Sequence, residues 1–304
     1  MTTNPTSEAT MHPFSIHPDT KVGPVDLQVA NLDRSEQFYR DVIGFKSLDR
    51  VDGRLVLTAD GATPLVVLRE HAGAQPRPPR STGLYHFAIL VPSRADLARS
   101  LARLAEMRWP LSGASDHHVS EALYLDDPDG NGIEIYRDRP RDSWRRASGE
   151  IHMTVDPLDL RGLLADEGGD LGSWQGLAPG TTIGHVHLHV ADLPAAEVFY
   201  HGVLGFDVIL NYGDSALFVS AGGYHHHLGL NTWAGVGAPP PPPDAAGLRH
   251  FTVLLPGQEA LDQVVGRVRA AGVAIDLVEA VDGDGGGLLL RDPSQNGVRL
   301  TLPS

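Results

Sequence analysis

No cysteine occurs among the 304 residues of this sequence, so disulfides, thiolate metal ligands and a cysteine nucleophile are all excluded. Basic residues are scarce. There are 24 Lys and Arg against 38 Asp and Glu, and the net charge of −14 disfavours nucleic acid or an anionic membrane as a partner. No apolar run approaches the ~20 residues of a membrane span, and the opening residues are polar, rich in Thr, Ser and Pro, without the apolar core of a signal peptide. A soluble cytoplasmic protein with a flexible tail over 1–21 is the simplest expectation. What the chain does have is an ordinary globular balance, 41% hydrophobic and 20% charged, with length enough for two domains. It also has 15 histidines, and they cluster.

Periodicity predicts the elements. From Val22, the stretch VGPVDLQV puts Val25, Leu27 and Val29 on one face and Pro24, Asp26 and Gln28 on the other, the pattern of a half-buried strand. Asp33 can cap the helix that follows, with Glu36 as its capping-box partner, and Gly44 ends it. Strands are expected over 54–58 and 65–68. A second such unit opens with LYHFAILVP at Leu84, has its helix over about 94–107, and ends in DPDGNGIEI from Asp127, a turn-forming cluster followed by a strand. In that strand Ile133 and Ile135 share one face and Glu134 takes the other, where a carboxylate is ordinarily just solvated.

The remainder repeats this plan. VANLDRSEQFYRDVIGF from Val29 and VADLPAAEVFYHGVLGF from Val190 align without a gap, and LRHFTVLLP at Leu248 and DPSQNGVRL at Asp292 echo LYHFAILVP and DPDGNGIEI. The chain therefore carries four β-α-β-β-β units. It divides into the tail 1–21, a first domain 22–137 with units one and two, a connection 138–182 with a short helix expected over 158–164, and a second domain 183–304 with units three and four. The five prolines Pro239 to Pro243 make an extended spacer between the last two units.

Four such units, with histidine on the opening strand of three and Asp-Pro-x-Gly-Asn-x-x-Glu closing the second, resemble the vicinal oxygen chelate superfamily of glyoxalases, bleomycin-resistance proteins and type I extradiol dioxygenases. The resemblance implies an α+β fold in which the βαβββ modules pair into two curved, partly open, barrel-like sheets whose concave faces can hold a divalent metal. Family ligands come from the opening strands of both paired modules and the last strand of one. Those positions are Pro24, His86, His185 and His250, with Glu134 and Arg299 on the last strands. Pairing in chain order leaves neither set whole, since proline has no ligating side chain and a guanidinium repels a cation. Pairing module two with three unites His86, Glu134 and His185, a 2-His-1-carboxylate set of the kind that holds non-haem Fe(II), with Mn(II) also compatible. The crossed pairing is preferred here.

Two further motifs bear on the chemistry. His117, Leu123-Tyr124, Asp127-Pro128, Gly130 and Glu134 fit the extradiol dioxygenase signature, with Ser115 a departure that leaves His117 and His118 as alternatives. Tyr224-His225-His226-His227-Leu228-Gly229-Leu230 is similar to the strand that carries that family's acid-base histidine, which the resemblance places at His226. It implies Fe(II)-dependent cleavage of a small aromatic diol by O2, with His226, Tyr124 and His117 catalytic. His187, His225 and His118 are the expected substrate contacts. A lone histidine such as His86 on a strand is more often structural than a ligand, whereas His185, His187 and His189 share one face of their strand and line one wall. A glyoxalase-like lyase or isomerase, and a metal-free drug-sequestering protein, are the competing readings. Scaffolds of this kind also assemble across subunits as homo-oligomers.

Overall fold

The computed structural model describes residues 14–147, 150–165, 173–278 and 286–303. Module one consists of β1 (Lys21–Val29), α1 (Leu32–Phe38), β2 (Lys46–Val51), β3 (Arg54–Thr58) and β4 (Pro64–Glu70); module two of β5 (Gly83–Leu90), α2 (Arg94–Glu106), β6 (Gly113–Asp116), β7 (Ser120–Asp126) and β8 (Gly132–Asp138). The connection holds three short strands, β9 (Arg146–Ala147), β10 (Glu150–Ile151) and β11 (Asp156–Pro157), and the helix α3 (Leu160–Ala165). Module three comprises β12 (Thr182–His189), α4 (Leu193–Glu197), β13 (Asp207–Tyr212), β14 (Ala216–Ser220) and β15 (Leu228–Asn231). Module four comprises β16 (Gly247–Leu254), α5 (Gln258–Ala270), β17 (Asp276–Val278), β18 (Gly287–Arg291) and β19 (Gly297–Thr301).

The strands form two large sheets, and the modules are shared crosswise between them. One sheet has the order β17-β18-β19-β16-β1-β4-β3-β2, joining modules four and one; the other runs β11-β6-β7-β8-β5-β12-β15-β14-β13, joining two and three. Neither 22–137 nor 183–304 makes a sheet of its own. At the centre of each sheet two opening strands lie antiparallel, β1 on β16 and β5 on β12. Their apolar alternate positions, among them Leu27, Phe87, Leu188 and Phe251, are fully buried in one continuous core. The other alternate positions face the concave side, as a period of two requires.

Local structure departs from expectation at three places. The cap of α1 is Asn31, whose Oδ1 accepts from the Arg34 N–H at 2.8 Å. Asp33 and Glu36, the expected capping pair, both engage Arg50 instead. The helix then widens into a π-turn over Tyr39–Ile43 and stops at Gly44, whose φ of 98° suits glycine. Second, the described part of the N-terminal segment is packed rather than loose. Ile16 is buried and its N–H donates to the Gly205 carbonyl at 2.7 Å; residues 1–13 lie outside the described residues. Third, the connection adds strand β11, which pairs with β6 at one edge of the second sheet.

A repeated polar pin ties the two sheets together. Asp127, at the turn before β8, accepts from the Asp129 and Asn131 N–H groups, from Asn131 Nδ2 and from the Tyr39 hydroxyl at 2.9 Å. Asp292 repeats the arrangement with the Ser294 and Asn296 N–H groups, Asn296 Nδ2 and the Tyr200 hydroxyl at 3.0 Å. Burial pushes the Asp127 carboxyl up to about 6, against the pull of its donors. Each tyrosine thus reaches from a helix of one module to the closing turn of the next, in the other sheet. Replacing Tyr39 by Phe should cost about 1–3 kcal/mol, because a buried acceptor loses a donor. Urea denaturation measures this, with the exposed Tyr212→Phe as control, and a loss no larger than the control's would show that the pin does not support the fold.

Candidate metal centre

The register of four strands builds the site. On the concave face, Tyr124 of β7 lies opposite Glu134 of β8, Glu134 is level with Ala88 of β5, and Ala88 lies opposite His185 of β12. The alanine leaves open the space across which Glu134 and His185 meet. His86, two residues before Ala88, projects on the same face. The Nε2 atoms of His86 and His185 each lie 3.0 Å from Glu134 Oε2, and the three ligand atoms fall within 4.8 Å of one another. Among the described residues this is the group able to hold a metal ion.

The surroundings fit a cation. Glu134, His86 and His185 are all buried. Burial pushes His185 down to about 4 against the raising pull of Glu134, so near neutrality it presents a neutral imidazole. Burial alone would raise Glu134, but the facing His185 and His86 more than offset it and hold the carboxyl well below the usual range. His86 Nε2, despite its 3.0 Å approach, makes no hydrogen bond. A buried carboxylate between two imidazoles, with His86 Nε2 left unsatisfied, is a set that a divalent ion would complete.

Beside this centre opens a cleft of about 450 Å³. His86, Glu134, His117, Tyr124, His187 and His226 line it, with Leu210, Phe218 and Trp233 as apolar walls and Met153, Thr154 and Val155 contributed by the connection. Tyr124 Oη and His117 Nε2 are 2.7 Å apart, and His117 Nδ1 is 2.6 Å from the Thr154 carbonyl. A carbonyl only accepts, so His117 is protonated at Nδ1 and its Nε2 accepts from the phenol. Burial, reinforced by the charge of Glu134, raises Tyr124 well above its ordinary value and keeps it a donor. His226 packs on His185 with ring centroids 4.2 Å apart, and burial together with its histidine neighbours holds it well below 6.5, hence neutral.

The other expected residues are distributed unevenly. His187 is buried in the cleft wall among Tyr85, His86, Phe218 and Trp233, its Nε2 without a partner. Gly229 makes that possible, since a Cβ there would stand 2.8 Å from the ring. His189 instead bonds Asn231 Oδ1 at 2.7 Å. Neither His118 nor His225 is among the residues lining the cleft. His118 adopts a φ of 65° and turns to Asp156, at 3.0 Å, whereas its neighbour His117 faces the site. His225 is wholly buried, 2.9 Å from Asp138 Oδ1 and 2.8 Å from His226 Nδ1. Sequence reasoning missed Thr154, Tyr85 and Asp138. Only Asp138 left a signal, being on the same strand face as Glu134 at four residues' spacing.

The equivalent place in the other sheet is built differently. Arg299 stands where Glu134 does, and its Nε donates to Thr252 Oγ1 at 3.2 Å. Asp26, opposite His250, accepts from Arg69 at 2.7 Å and lies 3.2 Å from Arg249.

Comparison with known proteins agrees with this architecture. The model of the glyoxalase/bleomycin resistance protein/dioxygenase superfamily matches residues 21–135 and 182–300. The chain is 54% identical over 268 residues to a Bacillus subtilis (strain 168) protein named catechol-2,3-dioxygenase, covering 87% of this chain and 93% of that one. It is 30% identical over 133 residues to biphenyl-2,3-diol 1,2-dioxygenase 3 of Rhodococcus globerulus, covering 42% of this chain and 70% of that one. Glyoxalase I of Zea mays shares the fold, with a TM-score of 0.54 at 16% identity over 93% of this chain and 92% of its own. No helix among the described residues is long and apolar enough to cross a membrane. With both repeats of the chain matched and the fold in accord, this protein belongs to the glyoxalase/bleomycin resistance protein/dioxygenase superfamily.

Proposed function

We propose that this protein is an extradiol ring-cleaving dioxygenase that acts on a catechol-type aromatic diol with O2. The observation that carries the reading is that two members of the His86–Glu134–His185 cluster, His86 and Glu134, line one cleft together with His226, Tyr124 and His117. The 54% identity to a protein named catechol-2,3-dioxygenase supports it. His86, Glu134 and His185 would hold Fe(II), or Mn(II), which when bound supplies the positions for the diol and dioxygen and the redox chemistry between them.

The chain's own residues do the rest. His226, neutral and facing the cleft, accepts a proton from the diol and returns it later in the cycle, acting as general base and then acid. The Tyr124–His117 pair binds a substrate oxygen and fixes the diol in register; its anchor on the Thr154 carbonyl keeps the imidazole from turning. Phe218, Leu210 and Trp233 pack the ring and keep water from it, and His187 adds a buried polar contact. No Lys or Arg lines the cleft among the described residues, while Asp126 and Glu134 do. A neutral catechol suits that lining better than one bearing a carboxylate.

Oxygen uptake decides the reading. The full chain, loaded anaerobically with Fe(II), should consume O2 with catechol and form a yellow ring-fission product, and it should turn over 3,4-dihydroxybenzoate far more slowly. No uptake with any catechol would remove the dioxygenase assignment, and binding of an apolar drug without metal would favour sequestration. Metal content tests the ligands separately. Glu134→Ala and His185→Ala should each abolish iron binding, and His250→Ala should leave it intact; loss on His250→Ala alone would place the metal in the other sheet.

A further inference from the structure

His225 and Asp138 have no part in the mechanism above, yet they form a continuous hydrogen-bonded path from the edge of β8 to His226. Asp138 Oδ1 is 2.9 Å from His225 Nε2, and His225 Nδ1 is 2.8 Å from His226 Nδ1. The carboxylate is itself held, since the Tyr224 hydroxyl donates to Asp138 Oδ2 at 2.9 Å and lies 2.7 Å from the Tyr136 hydroxyl. His225 is fully buried, with the tilted Tyr224 ring at 4.1 Å and the edge-on Trp144 ring at 5.5 Å between centroids. It therefore has no freedom to turn toward substrate.

We propose that Asp138 is a positioning residue that sets the tautomer of His226 through His225. The inference rests on the dioxygenase reading only for its kinetic consequence. Its logic is the donor and acceptor inventory of each atom. A carboxylate accepts and does not donate, so His225 carries its proton on Nε2. With its proton on Nε2, His225 presents a lone pair at Nδ1, and at 2.8 Å from His226 Nδ1 that lone pair accepts from the His226 Nδ1–H. The remaining nitrogen of His226, Nε2, is left with its lone pair for the cleft it lines. An imidazole in the other tautomer would offer the substrate hydroxyl a proton where an acceptor is needed. Asp138 thus does for His226, one residue removed, what a carboxylate does for the histidine of a catalytic triad.

Asp138→Asn inverts the chain without removing it. Tyr224 would donate to the amide oxygen, which turns the amide NH2 toward His225 Nε2. That nitrogen must then accept, His225 carries its proton on Nδ1, and His226 becomes protonated on Nε2. Long-range 1H–15N NMR of the metal-free, 15N-histidine-labelled full chain reads the tautomer directly. The wild type should show His226 protonated at Nδ1, and Asp138→Asn should show it protonated at Nε2. In the Fe(II)-loaded enzyme, kcat for catechol should fall by about 10²-fold or more, the usual size of an acid-base contribution. Iron content should be unchanged, and catechol affinity should stay within about two-fold, which separates a lost transition-state interaction from lost binding.

A wild-type His226 protonated at Nε2, or the same tautomer in both proteins, would overturn the proposal. So would an equal loss of affinity or iron, which would mark Asp138 as merely structural. Should Asp138→Asn fail to fold, the wild-type spectrum alone still decides. Should the wild type leave catechols untouched, the dioxygenase reading falls and the NMR result still tests the relay.

Discussion

The antiparallel contact between β5 and β12 is the constraint on which the rest depends, because those strands are about 100 residues apart in the chain yet carry the two imidazoles that meet Glu134. A slip of one residue would send His185, His187 and His189 to the core face and Val186 and Leu188 to the cleft. The hydrophobic set therefore enforces the placement of the imidazoles beside Glu134. Register irregularities flank the site, between Ile183 and His185 and between His187 and Leu188. Gly184 occupies the first, where a Cβ would stand 1.8 Å from the Tyr136 hydroxyl. That close approach lets Tyr136 lie against His185, at 4.8 Å between centroids, and reach Tyr224 beyond it. The side chain that braces His185 also braces the strand end that bears Asp138.

The two sheets share one apolar core, which is non-directional and does not by itself specify how the modules are matched in sequence order. The twin pins add directional links in that order, since Tyr39 of module one reaches the turn of module two and Tyr200 of module three reaches the turn of module four. The sheets join two with three and one with four, while the pins join one with two and three with four. Every module is therefore held to two others by different interactions. Buried tyrosine and aspartate with all their polar atoms paired favour one arrangement over near alternatives, because a mispaired module would leave both unsatisfied.

Strand and helix periods, the repeat, and the crossed grouping of motifs were all legible in the sequence, since each rests on spacing along a single strand or on ligand chemistry. What was not legible depends on neighbours far along the chain. Asn31 caps α1 while Asp33 and Glu36 pair with Arg50 of β2, a partner that spacing within the helix does not announce. His118 and His225 carry the same side chain as their neighbours His117 and His226, and only backbone geometry decides which faces the cleft. For His118 a left-handed φ turns it outward to Asp156. Thr154 acts through a backbone carbonyl, which every residue has, so its role belongs to the path of the connection and leaves no trace in composition.

The two sheets have the same architecture and solve opposite electrostatic problems. In one, a buried carboxylate faces two imidazoles with no Lys or Arg among them, and a small Ala88 leaves space beside it that a cation from outside the chain can fill. In the other, Arg299 replaces the acid, Thr252 replaces the alanine and accepts its guanidinium N–H, and Asp26 is matched by arginines from neighbouring strands. Charge there is balanced by side chains the protein already holds. A metal would find a guanidinium where its carboxylate should be and proline where its second histidine should be. The second sheet can thus remain a stable, self-compensated partner whose contribution to the site is mechanical. It buries the core face of β5 and β12 and fixes, through the pins, the turns that lead into β8 and β19.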